Sequence, residues 1–130
     1  MKKILIVEDD RRIAQNILRG LVSENFDAEI AHDGITGKQM ALDKKFDLIF
    51  ADAWPGKYET LIETLNLLKV GGFYIIDDML HQPNWPDGHI HNVEQLIAQL
   101  EQIPTLSLTK MNWSTGIVIV TKLDLTYARN

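Results

Sequence analysis

Thr105-Leu106-Ser107-Leu108-Thr109-Lys110-Met111-Asn112-Trp113-Ser114-Thr115-Gly116-Ile117-Val118-Ile119-Val120 is the stretch that decides the fold. Leu106 and Leu108 alternate with polar residues, so 105–110 reads as a strand with one face in water. Ile117 to Val120 is continuous and apolar, the pattern of a strand buried on both faces. Only Met111 to Gly116 separate the two, too few residues for a parallel crossover, so the pair is an antiparallel hairpin. Polarity orders it: the apolar strand lies inside the sheet and the alternating strand at its edge.

Outward from the hairpin, the chain alternates strands and helices. Ile4-Leu5-Ile6-Val7, Leu48-Ile49-Phe50-Ala51 and Phe73-Tyr74-Ile75-Ile76 are further continuous apolar runs. Ala28-Glu29-Ile30-Ala31 alternates and suits the opposite edge. Ile13, Ile17, Leu18 and Leu21 predict an amphipathic helix over 11–24. Asp33-Gly34 turns the chain into a helix at about 35–44. Leu61, Ile62, Leu65 and Leu68 predict a helix over about 58–69, ended by Gly71-Gly72. Residues 79–91 read as a loop. Asn92 is placed to cap a helix that buries Val93, Leu96, Ile97 and Leu100. The expected fold is α/β: a three-layer α-β-α sandwich around a six-stranded, mostly parallel sheet of order 2-1-3-4-6-5, with strand 6 antiparallel.

The chain has 130 residues, which suits one domain of about four βα units at roughly 30 residues each. The net charge is −5, and Lys and Arg form no stripe, which argues against nucleic acid and anionic membrane as partners. No apolar run is long enough for a membrane span. Lys2-Lys3 precede only four apolar residues and then three acids, so no secretory leader is expected. Without cysteine there is no disulfide or thiolate chemistry, and a cytoplasmic protein is expected. The short edge strands 28–31 and 105–110 leave self-association open, and no other partner is indicated.

The first half resembles a response-regulator receiver domain, of flavodoxin-like fold. The resemblance rests on Ile4-Leu5-Ile6-Val7-Glu8-Asp9-Asp10, Ala31-His32-Asp33-Gly34 and Phe46-Asp47-Leu48-Ile49-Phe50-Ala51-Asp52. It implies that Glu8 and Asp9 hold Mg²⁺ and that Asp52 accepts a phosphoryl group. The second half departs from that pattern. Pro55 falls three residues after Asp52 rather than four, Asp77 stands where a Thr or Ser is wanted, and no Lys-Pro follows a fifth strand. Lys122 ends a strand that runs the other way, so it is expected at the opposite pole.

From about residue 46 the chain resembles the C-terminal half of a class I S-adenosylmethionine-dependent O-methyltransferase, with a Rossmann-like fold. The stretches that carry this are Phe46 to Trp54 with Tyr58, Leu67-Leu68-Lys69-Val70-Gly71-Gly72, Ile76-Asp77-Asp78 and the closing hairpin. Metal-dependent members imply ligands at Asp52, Asp77 and Asp78. The family's Gly-rich cofactor turn after strand 1 is absent, since Glu8-Asp9-Asp10-Arg11 stands there and no G-x-G occurs. Four βα units also leave no room for the family's N-terminal helices.

Those departures lead to an engineered chimera as the expected reading: residues about 1–47 receiver-like, about 48–124 methyltransferase-like, 125–130 a tail. On it, no catalysis and no required cofactor are expected. Two alternatives stand beside it: a degenerate receiver phosphorylated on Asp52 with Mg²⁺, and a minimal methyltransferase. Glu8, Asp9, Asp52, Asp77 and Asp78 fall at the C-terminal ends of parallel strands, where ligands of open α/β sheets bind. Their hard oxygen donors suit Mg²⁺ or Ca²⁺, and Asp52 is a vestigial phosphoacceptor on this reading. His89 and His91 read as solvated loop residues. Trp54, Trp85 and Trp113 read as caps on the core or packing for loops.

Overall fold

The computed structural model describes residues 1–32, 45–51 and 61–124. Within them the strands are β1 (Lys3–Val7), β2 (Asp27–Ala31), β3 (Phe46–Ala51), β4 (Leu68–Ile76), β5 (Leu106–Met111) and β6 (Ile117–Lys122). The helices are α1 (Arg11–Ser23), α2 (Leu61–Leu65) and α3 (His89–Glu101). The sheet order is β2-β1-β3-β4-β6-β5, with β6 antiparallel to both of its neighbours. The order and the reversed strand are those read from the hairpin. The expected helix at 35–44 and the tail at 125–130 lie outside the described residues.

Local chemistry sets the element ends. Asp10 caps α1, its carboxylate accepting from the Arg12 and Ile13 N–H groups. The helix ends where Asn25 turns left-handed at φ 68°. There the Asn25 N–H donates to the Val22 carbonyl and the Phe26 N–H to the Leu21 carbonyl, a Schellman closure.

Two boundaries differ from expectation. The helix expected over 58–69 is helical only at Leu61–Leu65 among the described residues, and Leu68 already belongs to β4. Helical spacing could not separate the two, because Leu68 fits the helix stripe and also pairs with Phe46 on the sheet. Nor do Gly71-Gly72 end a helix; they sit inside β4, at an irregularity. Phe46 faces Leu68 and Leu48 faces Phe73, so β4 bulges between those pairs. A Cβ on Gly72 would come 2.8 Å from the Asp47 carbonyl oxygen, so the strands approach this closely only with glycine there. The second difference is α3, which starts at His89 behind Gly88, with no side-chain cap. Asn92 is inside the helix, and residues 89–91 leave the expected loop.

The register separates two faces of the sheet. Leu5, Ile49, Tyr74 and Val120 lie abreast, as do Val7, Ala51, Ile76 and Val118. All eight are buried, in one cluster with Leu61 and Leu65 of α2 and Val93, Leu96 and Leu100 of α3. The other face carries Ile4, Leu48 and Phe73 abreast, and Ile6, Phe50 and Ile75. Helix α1 packs there, yet Leu48, Phe50 and Ile75 are only half-buried and Phe73 is 45% exposed.

The N-terminal pole of the parallel strands is basic. Lys122 Nζ donates to the Leu65 and Leu68 carbonyls at 3.4 and 3.1 Å, and Lys45 donates to the Asn66 carbonyl. Lys122 therefore lies at the pole opposite the acids, as its strand direction required. Burial, with Lys45 nearby, lowers its pKa. Asp47 accepts from the Lys3 N–H at 2.8 Å and lies 3.4 Å from Lys69 Nζ and 3.9 Å from Lys2 Nζ. The Lys3 hydrogen bond, followed by the lysine charges, outweighs burial and holds its carboxyl below the ordinary carboxylate value. A depressed carboxylate stabilises the fold above its unfolded pKa and loses that contribution as pH falls through the folded value. Asp47→Asn is therefore expected to cost about 1–2 kcal/mol near neutral pH. It should also flatten the loss of stability below about pH 4 in urea titrations. An unchanged acid limb would count against this role.

Candidate functional site

The C-terminal ends of β1, β2 and β4 form the acidic pole. Glu8 follows β1 and is buried. Its N–H donates to the Ala31 carbonyl, and its own carbonyl accepts from His32 Nδ1 at 3.1 Å. These bonds tie the ends of β1 and β2 together, with His32 Nδ1 as the donor because a carbonyl oxygen only accepts. Asp9 is exposed, and Asp10 is spent on capping α1.

Asp77 and Asp78 follow β4. Asp77 Oδ1 accepts from the Asp78 N–H at 2.7 Å and from Thr115 Oγ1 at 2.8 Å. Asp78 holds a left-handed backbone at φ 62°, which aspartate tolerates better than most residues. Its Oδ1 accepts from Trp85 Nε1 at 3.4 Å. The hairpin turn supports this corner: the Met79 and Leu80 N–H groups donate to the Gly116 and Thr115 carbonyls. The β5–β6 turn is thus pinned to the segment that carries the two aspartates.

An aromatic stack flanks the corner. Trp85 meets His81 edge-on at 5.6 Å and His89 edge-on at 4.6 Å between ring centroids. Trp85 also packs partly buried against the core, whereas Trp113 is exposed and Trp54 lies outside the described residues. His89 is half-buried in the first turn of α3, not a solvated loop residue; His91 is exposed.

Of the sequence-derived acids, the structure thus brings Asp77 and Asp78 side by side and puts Glu8 and Asp9 at the end of β1. Asp52 lies outside the described residues. Among those residues no three His, Asp or Glu side chains gather as a cation site. Thr115, Trp85, His81 and His89 were not singled out as site residues by sequence. For the rings the signal was present, since 81, 85 and 89 are spaced by four. For Thr115 nothing local marks a contact across 38 residues.

Against known proteins, a family model described as O-methyltransferase matches residues 4–123. Among solved structures, the SAH-bound methyltransferase PaMTH1 of Podospora anserina superposes with a TM-score of 0.68 at 16% identity, over 95% of this chain and 72% of that one. A candidate rRNA methylase from Clostridium thermocellum superposes with a TM-score of 0.59 at 12% identity, over 94% of this chain and 89% of that one. These show the fold. Among curated sequences, the response regulator ArlR of Staphylococcus saprophyticus is 46% identical over 52 residues, 40% of this chain. The chain spans about a quarter of that protein's length.

These findings correct the functional expectation. An inert engineered chimera divided at about residue 47 does not hold, because one family model runs from residue 4 through that point to residue 123. The receiver alternative falls with it, since its likeness stops at 52 residues. The expectations of no enzyme and no required cofactor are overturned by the same match. The missing glycine turn and the chain length do not stand against that match. Strand order and the closing hairpin define the fold, and a turn of three residues between β1 and α1 can vary without disturbing either. Nor does length exclude the fold, because this chain covers 89% of the Clostridium chain. Among the described residues no helix is long and apolar enough to cross a membrane.

Proposed function

Since the chain belongs to the O-methyltransferase family, we propose that it binds S-adenosylmethionine at the acidic pole and takes part in methyl transfer to an oxygen nucleophile. The observation that carries this reading is the family match over residues 4–123. When bound, the cofactor supplies a methyl group made electrophilic by a sulfonium.

The residues at the pole fit such a ligand by charge. Glu8, Asp9, Asp77 and Asp78 are carboxylates, and the cofactor carries a sulfonium and an ammonium. Glu8 and Asp9 at the end of β1 and His32 at the end of β2 are the groups that would hold it. The turn that carries them is glycine-free, so side chains rather than bare backbone form that wall. Asp77 and Asp78 sit across the pole, where Thr115, Trp85 and the β5–β6 turn hold them in place. They would orient an acceptor hydroxyl and take up its proton.

The same acids, with Asp52, are proposed as a weak Mg²⁺ or Ca²⁺ site, because hard cations favour several carboxylate oxygens. Residues about 1–47 are proposed to be receiver-like in sequence, a reading supported by the 52-residue likeness to ArlR.

Calorimetric titration of the whole chain with S-adenosylmethionine tests the central reading. Saturable heat is expected, and at a hundredfold excess over Kd a stabilisation of about 2.7 kcal/mol. No heat and no shift in melting temperature at millimolar cofactor would overturn it. Millimolar Mg²⁺ or Ca²⁺ is expected to raise the melting temperature separately; silence from both ions removes the cation site and leaves the cofactor reading standing.

A further inference from the structure

The half-open face of the sheet takes no part in the proposed chemistry. Parallel strands are ordinarily covered on both faces. Among the described residues, one face of β1, β3 and β4 is covered by α2 and α3, and the other by α1 along one side only. The result is a groove of about 720 Å³. Ile17, Leu21 and Phe26 form one wall, and Leu48, Phe50 and Ile75 lie along the floor, with Phe73 and Val70 exposed at the far side. That volume lies within the range of roughly 300–1,000 Å³ common for small-molecule sites, which are also mostly apolar with few polar groups.

The polar groups of this groove are at one end. Lys2 and Asp47 line it there, and Lys69 Nζ stands 3.4 Å from the Asp47 carboxylate. Lys2 Nζ is 3.9 Å from the same carboxylate. Two ammonium groups thus share one carboxylate, which also accepts the Lys3 N–H. Lys2, Lys69 and Asp47 together carry one positive charge in excess at this end.

We propose that this groove binds a small anionic amphiphile: a linear alkyl carboxylate whose chain lies along β3 and β4 and whose head group rests on Lys2 and Lys69. The apolar walls suit an alkyl chain, and the excess cation at a single end sets its direction. A second copy of the chain fits less well. A two-fold interface would set the concave groove opposite itself, leaving a void where interfaces need close packing. Each copy also carries a net charge of −5.

Titration of the full chain with octanoate, decanoate and dodecanoate, each below its aggregation threshold, tests this. Affinity is expected to rise about fourfold per added methylene until the groove is filled. Reversing the head-group cation with Lys2→Glu or Lys69→Glu is expected to weaken decanoate about tenfold and leave 1-decanol unchanged. Phe73→Asp, on a half-exposed side chain, should abolish binding of both while circular dichroism stays native. Affinity independent of chain length, or decanoate binding indifferent to Phe73→Asp, overturns the proposal. So does a doubled mass in light scattering that Phe73→Asp abolishes, because the groove would then be buried between copies.

Discussion

Replacing Ile76 with alanine is expected to destabilise the protein by about 4 kcal/mol, and replacing its neighbour Ile75 by about half as much. The two residues are the same type, adjacent on one strand, and differ only in the face they present. Ile76 is fully buried, abreast of Ala51 and Val118 in the cluster with Leu61, Val93 and Leu96. Truncation there loses the transfer energy of three carbons and leaves a cavity that helices on one side and the sheet on the other cannot collapse. Ile75 points into the half-open groove, where solvent already reaches and no closed cavity forms. For a chain of this length each kcal/mol moves the melting temperature by roughly 4 °C. The expected shifts are therefore about 16 °C and 8 °C, read by thermal unfolding. Equal shifts would mean that the two faces are equally sealed in solution.

Gly116→Ala is expected to cost about 3 kcal/mol, out of proportion to one added methyl group. Gly116 sits at φ 92°, and a Cβ there would lie 2.4 Å from the Leu80 backbone nitrogen and 2.5 Å from Leu80 Cγ. The turn can relieve that clash only by withdrawing from residues 79–80. It would then break the Met79 and Leu80 hydrogen bonds and draw Thr115 away from Asp77. The variant should lose stability in urea, and the Met79 and Leu80 amides should lose protection from hydrogen exchange. It should also weaken whatever binds beside Asp77 and Asp78. Gly20→Ala is the contrasting change: nothing lies within 4 Å of its Cβ position in α1, and alanine there should stabilise by about 0.8 kcal/mol. A Gly116→Ala protein as stable as the parent would remove the close approach from the account of this corner.

Much of the pole was legible because strand ends are legible. Continuous apolar runs that stop at Glu8 and at Asp77-Asp78 put those acids at the carboxyl ends of parallel strands, whichever residues follow. What holds them was not legible. Thr115 reaches Asp77, and Trp85 reaches Asp78, through a turn and a loop whose paths no periodicity describes. The functional reading failed for a related reason. A missing glycine motif is a local signal, whereas the family match spans residues 4–123.

By itself, the sequence determined the sheet order. Polarity alone told inner strands from edge strands, and a connection too short for a crossover forced β5 and β6 antiparallel. Only the tertiary structure decided where α2 stops and β4 begins, because Leu68 satisfies a helical stripe and a strand pairing equally until Phe46 is beside it. Only the tertiary structure, too, revealed that, among the described residues, strands apolar on both faces are buried on one and half-exposed on the other. A run such as Phe73-Tyr74-Ile75-Ile76 states that both faces avoid water, but what covers each face depends on where distant helices come to rest.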